Sequence, residues 1–151
     1  MNDLQPGSGS IDGIFILATS IPLRGALDLY TTVNYQHKGT DNDYLGSLTY
    51  GFGNEFQMRT GLSDQIFIQN QIFSPSVGLR FRKRSRDEID TFSLDNTGGT
   101  WLMTQVGFNW LPNPSTNISL QLDLPIYTAV DGTQLSNDYI LNFTVYKKIS
   151  L

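Results

Sequence analysis

Hydrophobic and polar residues alternate with a period of two along most of this chain. Between Asn117 and Tyr127, Ile118, Leu120, Leu122, Leu124 and Ile126 share one face, and Ser119, Gln121, Asp123, Pro125 and Tyr127 share the other. Successive side chains of a strand point to opposite sides of a sheet, so this pattern predicts a strand with one apolar and one polar face. The last segment repeats it: Tyr139, Leu141, Phe143, Val145, Ile149 and Leu151 oppose Ile140, Asn142, Thr144, Tyr146, Lys148 and Ser150. Leu102, Val106, Phe108 and Trp110 oppose Gln105, Gly107 and Asn109, and Leu27, Leu29, Val33 and Tyr35 oppose Asp28, Thr32, Asn34 and Gln36. Noisier alternation runs through 11–21, 44–52, 56–63, 66–73 and 77–82. No segment carries a helical period. The pattern predicts an all-β protein of about nine strands, most of about 9–13 residues.

Strands of soluble proteins usually run about 5–6 residues, whereas a tilted strand crossing a bilayer needs about 9–11. The connections fall into two kinds. Pro22-Leu23-Arg24-Gly25, Gly53-Asn54, Ser74-Pro75-Ser76 and Pro112-Asn113-Pro114-Ser115 read as tight turns. His37–Asp43, Arg84–Gly98 and Thr128–Asp138 read as longer polar loops. Short and long connections alternate, as in outer-membrane barrels, except near Ser63-Asp64-Gln65. The expected fold is an antiparallel up-and-down transmembrane β-barrel spanning 1–151 as one domain, with 1–10 as an extended N-terminal segment. An odd strand number conflicts with the even number of single-chain bacterial barrels. Met1–Gln5 also lacks the basic and apolar regions of a signal peptide. The chain is therefore expected to be the C-terminal part of a longer protein.

Composition helps to decide which face meets water. Charged residues make up 16% and aromatics 12%, against a usual charged share of about 25%. The polar face is mainly amide and hydroxyl, a poor water-exposed surface but a serviceable wet lumen. In a membrane barrel the apolar face points to lipid and the polar face lines the interior. The expected lumen lining is Asp28, Asn34, Gln57, Arg59, Gln69, Gln71, Arg80, Arg82, Gln105, Asn109, Gln121, Asp123 and Asn142. Aromatics near strand ends, namely Tyr44, Tyr50, Phe52, Trp101, Trp110, Tyr127 and Tyr139, are the expected interfacial girdle; ordinary cross-strand packing is the alternative for them. A narrow barrel can be open or filled by its own side chains, and both fit this lining.

Several functions fall away. The chain has no cysteine, so disulfides, thiolate metal sites and a Cys nucleophile are excluded. A single histidine, His37, excludes a His-rich metal site. A net charge of −4 argues against nucleic acid as a partner. No apolar run approaches the roughly 18 residues of a transmembrane helix.

Three stretches are similar to a known family. They are Asp3-Leu4-Gln5-Pro6-Gly7-Ser8-Gly9-Ser10-Ile11-Asp12, the Thr97-Gly98-Gly99 run before the aromatic strand ending at Trp110, and Leu124-Pro125-Ile126-Tyr127-Thr128-Ala129-Val130-Asp131-Gly132-Thr133-Gln134-Leu135. Together they resemble the C-terminal half of the bacterial outer-membrane transporter family called "MetA-pathway of phenol degradation". The resemblance implies an outer-membrane β-barrel related to channels for hydrophobic or aromatic compounds. One departure is the C-terminus: Leu151 stands where such proteins commonly end in the aromatic residue read by the barrel-assembly machinery.

Other motifs have plainer readings. Arg80, Arg82, Lys83, Arg84 and Arg86 form the one dense basic run: a lumenal ladder favouring anions, a charge network paired with Asp28, Asp123 or the nearby Asp87-Glu88, or a solvated loop base. Asp131-Gly132 reads as a turn and Gly98-Gly99 as a strand start rather than a phosphate loop. His37, near Asp41 and Asp43, is the sole candidate base for a rim enzyme, and an exposed loop histidine is the simpler reading. The expected function is a channel of the bacterial outer membrane. It passes small, hydrophobic or aromatic solutes by passive diffusion, without catalytic residues, metal or cofactor. Its expected partners are the bilayer, the assembly machinery and the solute. A soluble lipocalin-like binding barrel and a structural barrel with no open pore are the alternatives.

Overall fold

The computed structural model describes residues 10–134 and 138–149. Most of the first resemblance motif, Leu135 of the third and the terminal Leu151 lie outside those residues.

The chain is all-β. Every strand pairing is antiparallel, and there is no helix among the described residues. The main sheet contains β1 (Gly13–Arg24), β2 (Leu27–His37), β5 (Glu55–Ser63), β6 (Ile66–Ile68), β7 (Gln71–Arg84), β10 (Gly99–Asn113), β11 (Thr116–Val130) and β12 (Ile140–Lys147). Its order is β1-β2-β5-β7-β10-β11-β12, with β6 also against β7. A second, four-stranded sheet is built from β3 (Thr40–Tyr44), β4 (Leu48–Gly51), β8 (Glu88–Ile89) and β9 (Phe92–Ser93), in the order β3-β4-β8-β9.

The strand count differs from the expected nine, for two local reasons. First, Tyr44 to Phe52 is not one long strand. The chain reverses at Leu45-Gly46, both at positive φ (53° and 85°), which suits the tight turn of a hairpin. The hairpin β3-β4 pairs with β8 across the loops, and Gly53-Asn54 leads out of it into β5. Second, the turn expected at Ser74-Pro75-Ser76 lies at Gln69-Asn70, again with both φ values positive (47° and 66°). β7 runs straight through Pro75.

Proline explains why β5 and β6 look separate. Both pair with β7 in a single register, Ser63 opposite Ser76 and Ile66 opposite Phe73. Between them Asp64 donates its N–H to the Pro75 carbonyl at 3.1 Å. Pro75 has no N–H to return, so the ladder is interrupted there while the strand continues. The main sheet therefore has seven lanes. Its short connections, at Gly25-Ala26, Gln69-Asn70 and Pro114-Ser115, all lie at one end. Its long ones, 38–54 and 85–98, lie at the other, where β11 also ends and β12 begins. The irregularity near Ser63-Asp64-Gln65 disappears.

The sheet is open: β1 and β12 are its edges, and neither pairs with the other. Register assigns the faces. Asp123, Gln105, Gly78, Gly61 and Tyr30 lie side by side on one face, and Leu122, Val106, Val77, Leu62 and Leu29 on the other. Burial is the reverse of a water-soluble sheet. Asp123 is fully buried and Gln105 is 4% exposed, while Val77 is 53% and Phe143 67% exposed. The one buried hydrophobic among the described residues, Met103, also sits on the polar face. A single-layer sheet covers one face only by curling toward it, so the polar face is the inner one. Burial fades toward β1 and β12, where nearly every residue is exposed.

Candidate functional site

The inner face carries a ladder of guanidiniums set by strand alternation. Arg80, Arg82 and Arg84 are two residues apart on β7 and therefore share a side. Gln57 and Trp101 flank Arg82, and Arg59 and Met103 flank Arg80. Each β7 arginine has a carboxylate. Arg80 Nη1 meets Asp123 Oδ2 at 3.0 Å, reaching past β10 to β11. Arg82 Nη2 meets Glu55 Oε2 at 2.8 Å, and its guanidinium lies 4.9 Å over the Trp101 ring. Arg84 Nη2 meets both Asp87 oxygens at 2.9 and 3.0 Å.

Asp123 is the hub. Besides Arg80 it accepts from Gln105 Nε2 at 2.8 Å and Gln121 Nε2 at 2.7 Å. Arg80 also donates to Gln57 Oε1 at 3.2 Å, and the Gln57 amide donates to Glu55. The network stitches β5, β7, β10 and β11 together. A buried carboxylate is tolerable only when ion-paired and hydrogen-bonded, and this one has three donors. Gly61 and Gly78 stand opposite each other beside the hub, and a Cβ on either would come within 2.6–2.7 Å of the Tyr30 hydroxyl. The two glycines let the tyrosine lie across the sheet.

Of the expected lining, Asp28, Asn34, Gln57, Arg59, Arg80, Arg82, Gln105, Asn109, Gln121, Asp123 and Asn142 all fall on the inner face. Asn109, Gln121 and Asn142 line one groove of about 250 Å³, with Ser76, Ser119 and Thr144. Two residues depart from the expectation, because the turn lies earlier in the chain than the sequence suggests. Gln69 is in the turn itself. Gln71 shares the outer face with Phe73 and accepts from Trp110 Nε1 at 2.8 Å. Glu55 was missed because the strand was expected to begin at Phe56; extending the alternation by one residue adds it.

The aromatics divide three ways. Trp110 and Phe73 stack on the outer face at the short-turn end, 6.0 Å apart. Tyr127 is exposed on the outer face at the long-loop end, beyond which Tyr139 is also exposed. Phe15, Tyr35 and Phe56 lie side by side on the outer face at the same end, two residues nearer the long loops than the row of Tyr127, and are absent from the expected girdle. Trp101 is not in a girdle, since register turns it inward beneath Arg82. Tyr44, Tyr50 and Phe52 are not in one either. They pack against each other as tilted pairs in and beside the second sheet, with centroids 5.0 and 4.7 Å apart, because that segment is a loop hairpin.

The long-loop end is organised around Asp87. Its carboxylate accepts from the Gly53 N–H at 2.7 Å and the Tyr50 hydroxyl at 2.8 Å, besides Arg84. Burial alone would raise its pKa, but these donors and the Arg84 charge together hold it below the usual carboxylate range. Burial and the bond to Asp87 push Tyr50 up to about 12. Nearer solvent, Arg86 bridges Asp95 at 3.2 Å and Asp131 at 2.8 Å. That pairing holds the Asp131 carboxyl below its ordinary range. Gly132 and Gly98-Gly99 all have positive φ, in agreement with a turn and a strand start. His37 is exposed at the end of β2 opposite Gly13 and makes no side-chain hydrogen bond among the described residues.

No family model, no curated protein and no solved structure matches the chain.

Proposed function

We propose that this chain forms part of the wall of a β-barrel in the bacterial outer membrane, with the inner face lining a path for small solutes that diffuse passively. The observation that carries this reading is the inversion of the two faces: valines, leucines and phenylalanines exposed, carboxylates and amides buried. Water does not sustain such a sheet, and lipid does. Outer-face positions Leu102 and Trp110 lie eight residues apart on β10, about 27 Å along the strand at ~3.4 Å per residue and about 20 Å in height at a barrel strand's tilt of roughly 35–45°. That covers most of the roughly 25 Å apolar band of such barrels, with aromatics near both borders. A lipocalin-like soluble barrel would need the opposite faces.

The unpaired edges support a larger ring. A strand edge in hydrocarbon leaves backbone groups unsatisfied at several kcal/mol each, so further strands join β1 to β12 in the membrane. On this reading the long loops face outward and the short turns face the periplasm. No catalytic residue or cofactor takes part. The resemblance to the "MetA-pathway of phenol degradation" transporters points the same way, toward solutes with hydrophobic or aromatic bodies.

The test is refolding of the complete barrel-forming polypeptide in detergent, followed by gel mobility with and without boiling and by single-channel recording in planar bilayers. A heat-dependent mobility shift and stepwise conductance are expected. A water-soluble, detergent-indifferent monomer would overturn the reading. A mobility shift without conductance would leave the structural barrel in its place.

A further inference from the structure

The inner face has one guanidinium too many. Arg80, Arg82 and Arg84 each have a carboxylate, but Arg59 has no ion pair or hydrogen bond among the described residues. It stands directly opposite Arg80, whose single carboxylate already has three donors. Like charges directly opposite on neighbouring strands repel. The inner-face carboxylate left over, Asp28, is four residues along β2 from Thr32, the residue opposite Arg59, or roughly 13 Å away at ~3.4 Å per residue. Arg59 opens onto a groove of about 260 Å³, lined also by Ile16, Thr32, Asn34 and Gln57. In that groove the Asn34 Oδ1 is buried without a hydrogen-bond partner.

We propose that this groove binds a small organic carboxylate. The guanidinium fork matches a carboxylate with two parallel N–H bonds, which a compact ammonium cannot do. An anion there neutralises Arg59 and relieves its repulsion with Arg80. The Asn34 Oδ1, an acceptor, takes no bond from a carboxylate, so the guanidinium alone holds the anion while Ile16 meets the apolar body of the acid. The site rests on the inner face being the wetted one, and it makes Arg59 the specificity-determining residue for anionic solutes.

The experiment titrates butyrate, and its neutral isostere butyramide, calorimetrically into the complete barrel-forming polypeptide refolded in detergent. Butyrate is expected to bind, and Arg59→Gln to weaken it about tenfold or more while leaving butyramide unchanged. Thr32→Asp places a carboxylate directly opposite Arg59, so it should keep the fold and abolish butyrate binding. The proposal is overturned if butyrate does not bind, binds no better than butyramide, or binds Arg59→Gln as well as the parent. Bilayer recording separates this from the channel reading. Conductance with Arg59-independent butyrate binding removes the carboxylate site alone. Arg59-dependent binding without conductance removes the channel alone.

Discussion

Two arginines in this molecule each pair with carboxylates, with opposite consequences. Arg80 joins a fully buried aspartate that two glutamine amides also hold. Arg86 joins Asp95 and Asp131 in the open, where the Asp95 side chain is 84% exposed. The chemistry is the same and the distances are similar. What differs is the alternative each charge has when its partner leaves. At Arg86 water replaces the carboxylate. At Arg80 nothing does, so the pair binds four strands into one unit.

Removing Asp123 should therefore produce the largest effect. Asp123→Ala leaves Arg80 without its counter-charge and two amides without their acceptor on a buried face, a loss of about 3–5 kcal/mol. It should appear as a large fall in the urea midpoint of the refolded protein, measured by loss of the fast-migrating gel band. A small fall would erase the contrast with Arg86. Asp87 lies between the extremes. Asp87→Asn keeps an acceptor but loses the charge facing Arg84, at about 1–3 kcal/mol. Its pKa is depressed in the fold, so its stabilisation is complete above the unfolded value near ~3.9 and is lost as pH falls through the lower folded value. The acid slope of stability should shrink in Asp87→Asn. Tyr50 works in the other direction: its contribution fades as pH rises from about 10 toward about 12, which ultraviolet titration of tyrosinate should follow. Arg86→Ala should be the smallest change, with no resolvable shift in midpoint at physiological salt. A shift as large as that of Asp87→Asn would mean the exposed bridge is worth more than its setting implies.

Much of the main sheet is legible in the sequence because a period of two is a direct imprint of the pleat. The face assignments of Asp123, Gln105 and Asn142 follow from it without any knowledge of partners. Two features are not legible, and both concern chain reversals. Tyr44, Leu48, Tyr50 and Phe52 alternate, but Leu45-Gly46 lacks the usual Asn-Gly or Asp-Gly signature of the tight turn it forms. Ser74-Pro75-Ser76 looks like a turn by composition. Only the neighbouring ladder shows that Pro75 faces a position where its missing N–H interrupts pairing without ending the strand. Which arginine on the ladder lacks a partner is also beyond the sequence. It depends on Arg80 reaching across β10, a contact between residues 43 apart.

The pairing of β4 with β8 has a consequence for how such a chain can vary over evolutionary time. Surface loops ordinarily gain and lose residues freely. Here 38–54 and 85–98 share one ladder, Tyr50 against Ile89 and Gly51 against Glu88. One residue gained inside either arm would slip that register and turn Tyr50 away from Asp87. The two segments are thus inherited as a matched pair, with length free to drift only at the hairpin tips, Leu45-Gly46 and Asp90-Thr91.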